Sequence, residues 1–263
     1  MKLKILYERR AILLEMEKPE HGSEDTFRRC LVVGDLHIGF EERFRGAGIR
    51  IQPNVESMQA ELEAIIDETK PTDLVLNGDV KSGIDRILES EWENIPKFFI
   101  RLLKKARVHV VPGNHDGGLI NLMPKGVDLL DINGILISDT LVMHGHTKPL
   151  IKFKDCKRIV VGHMHPVFQK RGNPLSGHPV WVFLRVPKKS IFEDLLEEDV
   201  STVEVILMPS FNLELASTGY ASETRSERRV SPLARYLREA KDALVVTLHG
   251  EIVGDNSVLD RII

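Results

Sequence analysis

Short apolar runs, each ending in a turn rich in Gly, Asp or His, set the rhythm of the first two thirds of the chain. Leu31-Val32-Val33 leads into Gly34-Asp35, and Leu74-Val75-Leu76 into Asn77-Gly78-Asp79. Val108-His109-Val110-Val111 leads into Pro112-Gly113-Asn114-His115-Asp116. Leu141-Val142-Met143 precedes His144-Gly145-His146, and Ile159-Val160-Val161 precedes Gly162-His163-Met164-His165. Such runs, rich in β-branched residues and bounded by turn residues, read as buried strands. Helical stretches separate the first three. After Pro53-Asn54, where Asn54 is placed to cap a helix, Val55, Met58, Leu62, Ile65 and Ile66 recur at helical spacing. A second stretch carries Trp92, Ile95, Phe98, Phe99, Leu102 and Leu103 on one face. Strand-helix-strand alternation predicts parallel strands with crossover helices. After about residue 131 the pattern changes to strands without clear helices between them: Ile135-Leu136-Ile137, Val180 to Leu184, Val203 to Leu207 and, last, Ala243 to Leu248. A second, mixed or antiparallel sheet packed on the first is therefore expected. Residues 217–242, polar and Arg-rich, read as a surface loop or late helix. The fold expected is α/β, a four-layer αββα sandwich of two mixed β-sheets flanked by helices, with residues 1–263 as one domain.

Composition narrows the classes. The 263 residues are 42% hydrophobic, enough for a sizeable core, and the net charge is -3, so the molecule is no polycation. Contact with nucleic acid would have to come from a local patch. The two cysteines, Cys30 and Cys156, form no close-spaced metal motif, and a reducing cytoplasm with both thiols unpaired is expected. The charged start at Met1 to Leu6 is followed by Glu8, Arg9 and Arg10, so no apolar signal core develops. No run approaches the roughly 20 apolar residues of a membrane helix, and no membrane association is expected.

The strand ends carry the chemistry. Asp35 and His37 stand two apart, as do His163 and His165, and in an extended strand end such pairs point to one side. Asp79 closes the second strand, Asn114 and His115 the third, His144 and His146 the fourth. In parallel α/β sheets ligands gather at the carboxyl ends of strands. Carboxylate and imidazole with one amide oxygen and no thiolate suit Mn, Fe, Zn or Co. A carboxylate can also bridge two ions about 3.5–4 Å apart, the separation that clamps a phosphate. Singly these elements are weak: a D-x-H pair is more often an accident than a ligand pair, and Gly-Asp is an ordinary turn. Five in one order, each at a strand end, are not.

The order D-x-H, G-D, G-N-H-[DE], H, G-H-x-H resembles that of the calcineurin-like metallophosphoesterases, over roughly residues 29–170 as motifs and most of the chain as fold. The resemblance implies two divalent metal ions, manganese first, with iron, zinc, cobalt or nickel as alternatives. It implies Asp35, His37 and His165 on one ion and Asn114, His144 and His163 on the other, with Asp79 bridging them. In His144-Gly145-His146 it selects the first histidine and leaves His146 as a neighbour of the site. His115 is implied as catalytic, beside the phosphate and donating a proton to the leaving oxygen. Some branches orient that histidine with an Asp three residues after the bridge, where this chain has Ser82. Asp116, counted with His115 as catalytic, would orient it instead or merely finish the turn. The closer resemblance is to the small SbcD-related phosphoesterases of archaea and bacteria, on Gly34 to Glu42, Gly78-Asp79-Val80-Lys81 and Met208-Pro209-Ser210-Phe211-Asn212.

Residues 148–171 hold Lys148, Lys152, Lys154, Lys157, Arg158, Lys170 and Arg171 against one acid, Asp155. That basic segment, beside a two-metal centre, would suit the backbone of DNA or RNA, and its plain reading is a solvated loop. Glu193 to Asp199 is acidic and would repel nucleic acid if it faced the site. Lys81 would touch substrate phosphate or form a surface ion pair. The function expected is hydrolysis of a phosphate ester, as a phosphodiesterase or nuclease using metal-activated water. The alternatives are a small-molecule phosphatase or cyclic-nucleotide phosphodiesterase and, third, a non-catalytic scaffold like retromer's phosphoesterase-like subunit. Intact ligands and His115 argue against that third class. The sequence names no protein partner.

Overall fold

The computed structural model describes residues 1–16, 28–49, 51–192, 200–217, 236 and 238–262. Most of the Arg-rich segment 217–242 and the acidic run from Glu193 to Asp199 lie outside the described residues. The apolar runs of the first half become central strands of a six-stranded sheet. In order across it stand β1 (Lys2–Leu6), β2 (Ala11–Glu15), β3 (Arg29–Val33), β4 (Asp73–Asn77), β5 (Arg107–Val111) and β6 (Val127–Leu129). The β1-β2 and β2-β3 pairs are antiparallel and the other three parallel. Two helices, α1 (Val55–Thr69) and α2 (Glu89–Leu103), make the crossovers from β3 to β4 and from β4 to β5.

The strands read as continuous apolar runs because both faces of this sheet are covered. Leu31, Val33, Leu74, Leu76, Val108 and Val110 meet Leu62, Ile65, Ile66, Ile95, Phe98, Phe99 and Leu102 of the helices. The intervening residues Val32 and Val75 point to the opposite side, as the strand period of two requires. There they join Val111, Val142, Val160, Trp181, Ile206 and Val246 in a core between two sheets.

The second sheet has seven strands: β7 (Ile135–Ile137), β8 (Thr140–Met143), β9 (Arg158–Val161), β10 (Val180–Pro187), β11 (Thr202–Leu207), β12 (Asp242–Thr247) and β13 (Ile252–Gly254). They lie in the order β13-β12-β10-β11-β9-β8-β7, with only β8-β9 and β9-β11 parallel. Both sheets are thus mixed, and helices flank them, as expected. The outer face of the second sheet is covered by short helical turns: α3 (Lys188–Ile191) and the 3-10 turns Ile151–Phe153 and Asn256–Arg261. Among the described residues no long helix lies there.

Two local expectations need correction, and one element was not read from the sequence. The Asn54 side chain makes no helix-capping bond; it reaches Asn212, donating from Nδ2 to Oδ1 at 2.7 Å. Trp92 is 53% exposed, because the buried apolar stripe of α2 is carried by Ile95, Phe98, Phe99 and Leu102. The charged start of the chain, which speaks in sequence only against a signal core, forms β1 and β2, a hairpin that extends the first sheet. No helix among the described residues is long and apolar enough to cross a membrane.

Candidate metal centre

In each sheet the central parallel strands end on the same side, and their following turns meet there. The turn after β3 runs beside the turn after β4: Asp35, His37 and Ile38 donate their amides to the carbonyls of Gly78, Asp79 and Val80 at 3.0, 2.8 and 2.9 Å. Across to the second sheet, Asn77 donates from Nδ2 to the Met143 carbonyl at 3.0 Å. Asp35 accepts the His163 amide at 3.0 Å.

Five of the seven expected ligands have left-handed backbone: Asp35 (φ 58), His37 (45), Asp79 (52), His163 (65) and His165 (41). Non-glycine residues avoid that region, at a cost of order 1–3 kcal/mol each, unless their surroundings hold them there. The two-apart pairs therefore do not project from extended strand ends, as their spacing suggested. Asp35 and His37 both turn inward with Leu36 buried between them. His163 and His165 go to different places.

The potential ligand atoms fall into two groups that share Asp79: Asp35, His37, Asp79 and His165 in one, and Asp79, His144 and His163 in the other. In the first, His37 Nε2 lies 3.3 Å from His165 Nε2 and 3.4 Å from Asp79 Oδ2, and His165 Nε2 lies 3.1 Å from Asp35 Oδ1. In the second, His144 Nε2 lies 3.2 Å from that same Asp79 Oδ2 and 3.3 Å from Asn114 Oδ1. One carboxylate oxygen thus stands between imidazoles of both groups. Asp35, His37, Asp79 and His144 are buried to 1% exposure or less.

This donor set fits divalent cations on its own chemistry. His144 Nδ1 is 3.0 Å from the carbonyl of Asn77, which can only accept, so Nδ1 carries the hydrogen. Once it gives up its second proton, Nε2 presents a lone pair to a carboxylate oxygen and an amide oxygen that also present lone pairs. Lone pairs converging in a buried space call for a cation. Burial alone would push the His144 imidazolium down, yet Asp79 and Asp35 raise its pKa to about 9. His163 is driven the other way, to about 2, by burial and then by His144. Burial also holds His37 well below its usual range, so both are neutral and ready to ligate. Asp79 is held well below the carboxylate range, the histidines His144 and His37 outweighing its burial.

The motif glycines have a spatial reason that their turns alone did not suggest. A Cβ on Gly78 would collide with the His144 ring, one on Gly113 with the Asp79 carboxylate, and one on Gly162 with the Asp35 carboxylate. The glycine of each motif clears space for the ligand of another. Late in the chain, Phe211 and Asn212 donate their amides to Gly34 and Asp35, and Asn212 Nδ2 holds the Leu36 carbonyl at 2.9 Å. This segment, which in sequence carries a family likeness but no role, braces the Asp35–His37 turn.

His115 is 5% exposed and packs edge-on against His37, ring centroids 4.7 Å apart, while its amide donates to Asp79 Oδ1 at 2.9 Å. Its Nδ1 donates to the backbone carbonyl of Ser82 at 2.7 Å, which leaves Nε2 for chemistry. The carboxylate of Asp116 does not orient His115. Its Oδ1 accepts the amides of Val80 and Lys81 and its Oδ2 that of Gly113, so it ties the turn after β5 to the turn after β4. Burial and then Asp79 raise Asp116 to about 6. Lys81 forms no surface ion pair: it is wholly buried, with Nζ on the Gly83 carbonyl. His146 is half-buried, its ring centroid 5.3 Å from that of His144 and 6.2 Å from that of His163. Burial and then His144 lower it to about 4.

The basic segment 148–171 does not form one face. Lys157 and Arg158 lie at the start of β9, the end away from the ligands, and pair with Asp139 and Glu204. Lys148 follows His146 closely. Lys170 and Arg171 are exposed in the excursion between β9 and β10, which leaves and rejoins the sheet at its ligand end.

Residues 28–188, more than half of the chain, match the family model of the calcineurin-like phosphoesterases. No curated protein matches in sequence. Among solved structures, the crystal structure of Pseudomonas putida nuclease MPE is similar, with 21% identity over 80% of this chain and 82% of that one and a TM-score of 0.50. That likeness is one of fold. The phosphoesterase YfcE from E. coli is 13% identical over 87% of this chain and 98% of its own, with a TM-score of 0.38.

Proposed function

This chain belongs to the calcineurin-like phosphoesterase family, hydrolases of phosphate esters, and from that premise we propose that it is a dinuclear metal-dependent phosphodiesterase acting on DNA or RNA. The observation that carries the reading is Asp79 Oδ2, set between His37 and His144 with His115 beside it. Asp35, His37, Asp79 and His165 would hold one ion, and Asp79, Asn114, His144 and His163 the other. The oxygen and imidazole donors suit manganese. Bound there, two divalent ions supply Lewis acidity towards the phosphoryl oxygens and make water acidic enough to serve as nucleophile at neutral pH.

The remaining work falls to side chains. The Ser82 carbonyl keeps the hydrogen of His115 on Nδ1, so a second proton can sit only on Nε2, from which it passes to the leaving oxygen. Asp116 holds the two turns that carry Asp79 and His115 in register. Lys148, Lys170 and Arg171, on loops at the ligand end, would meet the flanking phosphates of a polynucleotide, which the nuclease activity named for the Pseudomonas putida relative also favours. Two buried free cysteines agree with a reducing cytoplasm.

A second reading, hydrolysis of a small ester with an apolar leaving group, is favoured by Ile84 and Ile120. They are 49% and 59% exposed, on the turns that carry Ser82 and follow His115. The test is a panel with added manganese: bis-p-nitrophenyl phosphate, p-nitrophenyl phosphate, cyclic nucleotides and labelled DNA. Cleavage of the diester and of DNA well above the monoester is expected. Activity confined to the monoester would overturn the diesterase reading.

A further inference from the structure

Glu91 is the third residue of α2 and wholly buried. Its Oε2 accepts the Leu88 amide at 2.7 Å, the ordinary role of a glutamate at that position of a helix. Its Oε1 does something the helix does not need: it accepts the amides of Ser82 at 2.8 Å and Gly83 at 2.6 Å. All three partners are donors, so the group must offer acceptors to each, as an ionised carboxylate does. The turn after β4 is thereby gripped along its length. Asp116 takes the amides of Val80 and Lys81, Glu91 those of Ser82 and Gly83, and the Lys81 ammonium takes the Gly83 carbonyl. What faces His115 from this fixed strip is the Ser82 carbonyl. The Ser82 hydroxyl is buried and has no partner among the described residues.

We propose that Glu91 is a positioning residue for His115: by fixing the Ser82 and Gly83 amides it sets the carbonyl that holds His115 Nδ1 and so aims Nε2 at the leaving oxygen. A backbone carbonyl anchored from behind by a helix carboxylate does here what a side-chain carboxylate at position 82 would do. The inference rests on the reading of His115 as proton donor. A glutamate that only started α2 would affect stability and leave the chemistry alone.

The two roles of Glu91 separate by leaving group. Bis-p-nitrophenyl phosphate and diphenyl phosphate differ only in nitro groups, and phenolate needs a proton far more than p-nitrophenolate does. With manganese bound, Glu91→Gln is expected to lower kcat on diphenyl phosphate about tenfold or more and on the nitrophenyl ester less than about threefold, at unchanged metal content. In a His115→Ala background the same substitution should cost nothing further on diphenyl phosphate, since residues acting through one group are non-additive. Equal losses on both esters, or a loss that multiplies that of His115→Ala, overturns the proposal. Should Glu91→Gln fail to fold, Glu91→Asp keeps the charge one methylene short of the turn and must show the same leaving-group pattern; uniform behaviour on the two esters overturns the proposal equally. His115→Ala alone reports on the underlying reading: if it does not discriminate between the esters, the proton-donor role fails, whatever Glu91 does.

Discussion

His115 illustrates how one hydrogen bond decides a role. Because a carbonyl oxygen can only accept, the 2.7 Å contact with Ser82 assigns the tautomer without reference to the rest of the site. His115→Ala is expected to keep its metals and lose about 10²–10⁴-fold on esters with poor leaving groups, the usual range for a general acid. On p-nitrophenyl esters the loss should be far smaller; metal analysis and the two rates check it. His144 gives the second residue-scale expectation. With a pKa raised from 6.5 to about 9, it keeps a proton in the metal-free fold that stabilises that fold fully below pH 6.5 and is lost as pH rises through 9. An ion must displace that proton. Calorimetric titration with manganese in buffers of different ionisation enthalpy should register about one proton released near pH 7.5, with affinity rising about tenfold per pH unit up to about 9. A pH-independent affinity would remove His144 from the centre. At this scale the sequence was legible in residue types and order, which single out Asp35, His37, Asp79, Asn114, His144, His163 and His165 together. Left-handed backbone and a backbone carbonyl partner have no letter of their own, so the turned geometry of Asp35 and His37 and the part played by Ser82 could not be read.

Among the elements, the strands were legible where both faces are buried. A run such as Leu74-Val75-Leu76 has no other reading than a central strand once Gly78 and Asp79 follow it. The edges of the two sheets were harder: β1 reads Lys-Leu-Lys-Ile-Leu, half exposed, and β6 in the first sheet and β13 in the second are three residues each. Trp92 departs from expectation because a helical period marks a face without saying how far burial extends along it. The Phe211–Asn212 segment is an element with no regular structure and a specific duty. Asn212 is wholly buried and holds both the Leu36 carbonyl and the Asn54 side chain. Asn212→Ala leaves those groups without partners, at about 1–3 kcal/mol, and should loosen the Asp35–His37 turn more than the turn carrying His144. Thermal melts, together with metal titrations, are expected to show a lower Tm and weakened binding of one of two ions. Equal weakening of both would mean the brace supports the whole ligand end.

For the whole molecule, the change of pattern near residue 131 marked the boundary between the sheets, since β7 begins at Ile135. What the sequence did not disclose is how the sheets face each other, because the residues between them come from both halves of the chain. Trp181 of the second sheet is wholly buried in that core and donates from its indole to the Tyr7 carbonyl, beyond the end of β1, at 3.2 Å. Trp181→Ala should cost about 3–5 kcal/mol, read as a lower denaturation midpoint. Because the ligands come from both sheets, added manganese should restore part of that stability by mass action; a variant that manganese fails to stabilise would have lost the sheet-to-sheet alignment itself.

The clearances at Gly78, Gly113 and Gly162 bear on how such a centre could be moved or rebuilt. His144, Asp79 and Asp35 each occupy a vacancy left by a different turn, so the site is keyed like a wooden puzzle in which none of the three can be drawn out alone. Grafting the seven ligands onto another scaffold would transfer the donors without the hollows that receive them. The portable unit is the set of turns together with the offset between the two sheets. Laboratory exchange with a distant relative should accordingly succeed for interlocking pairs, Gly78 with the His144 turn or Gly162 with the Asp35 turn, where single turns fail.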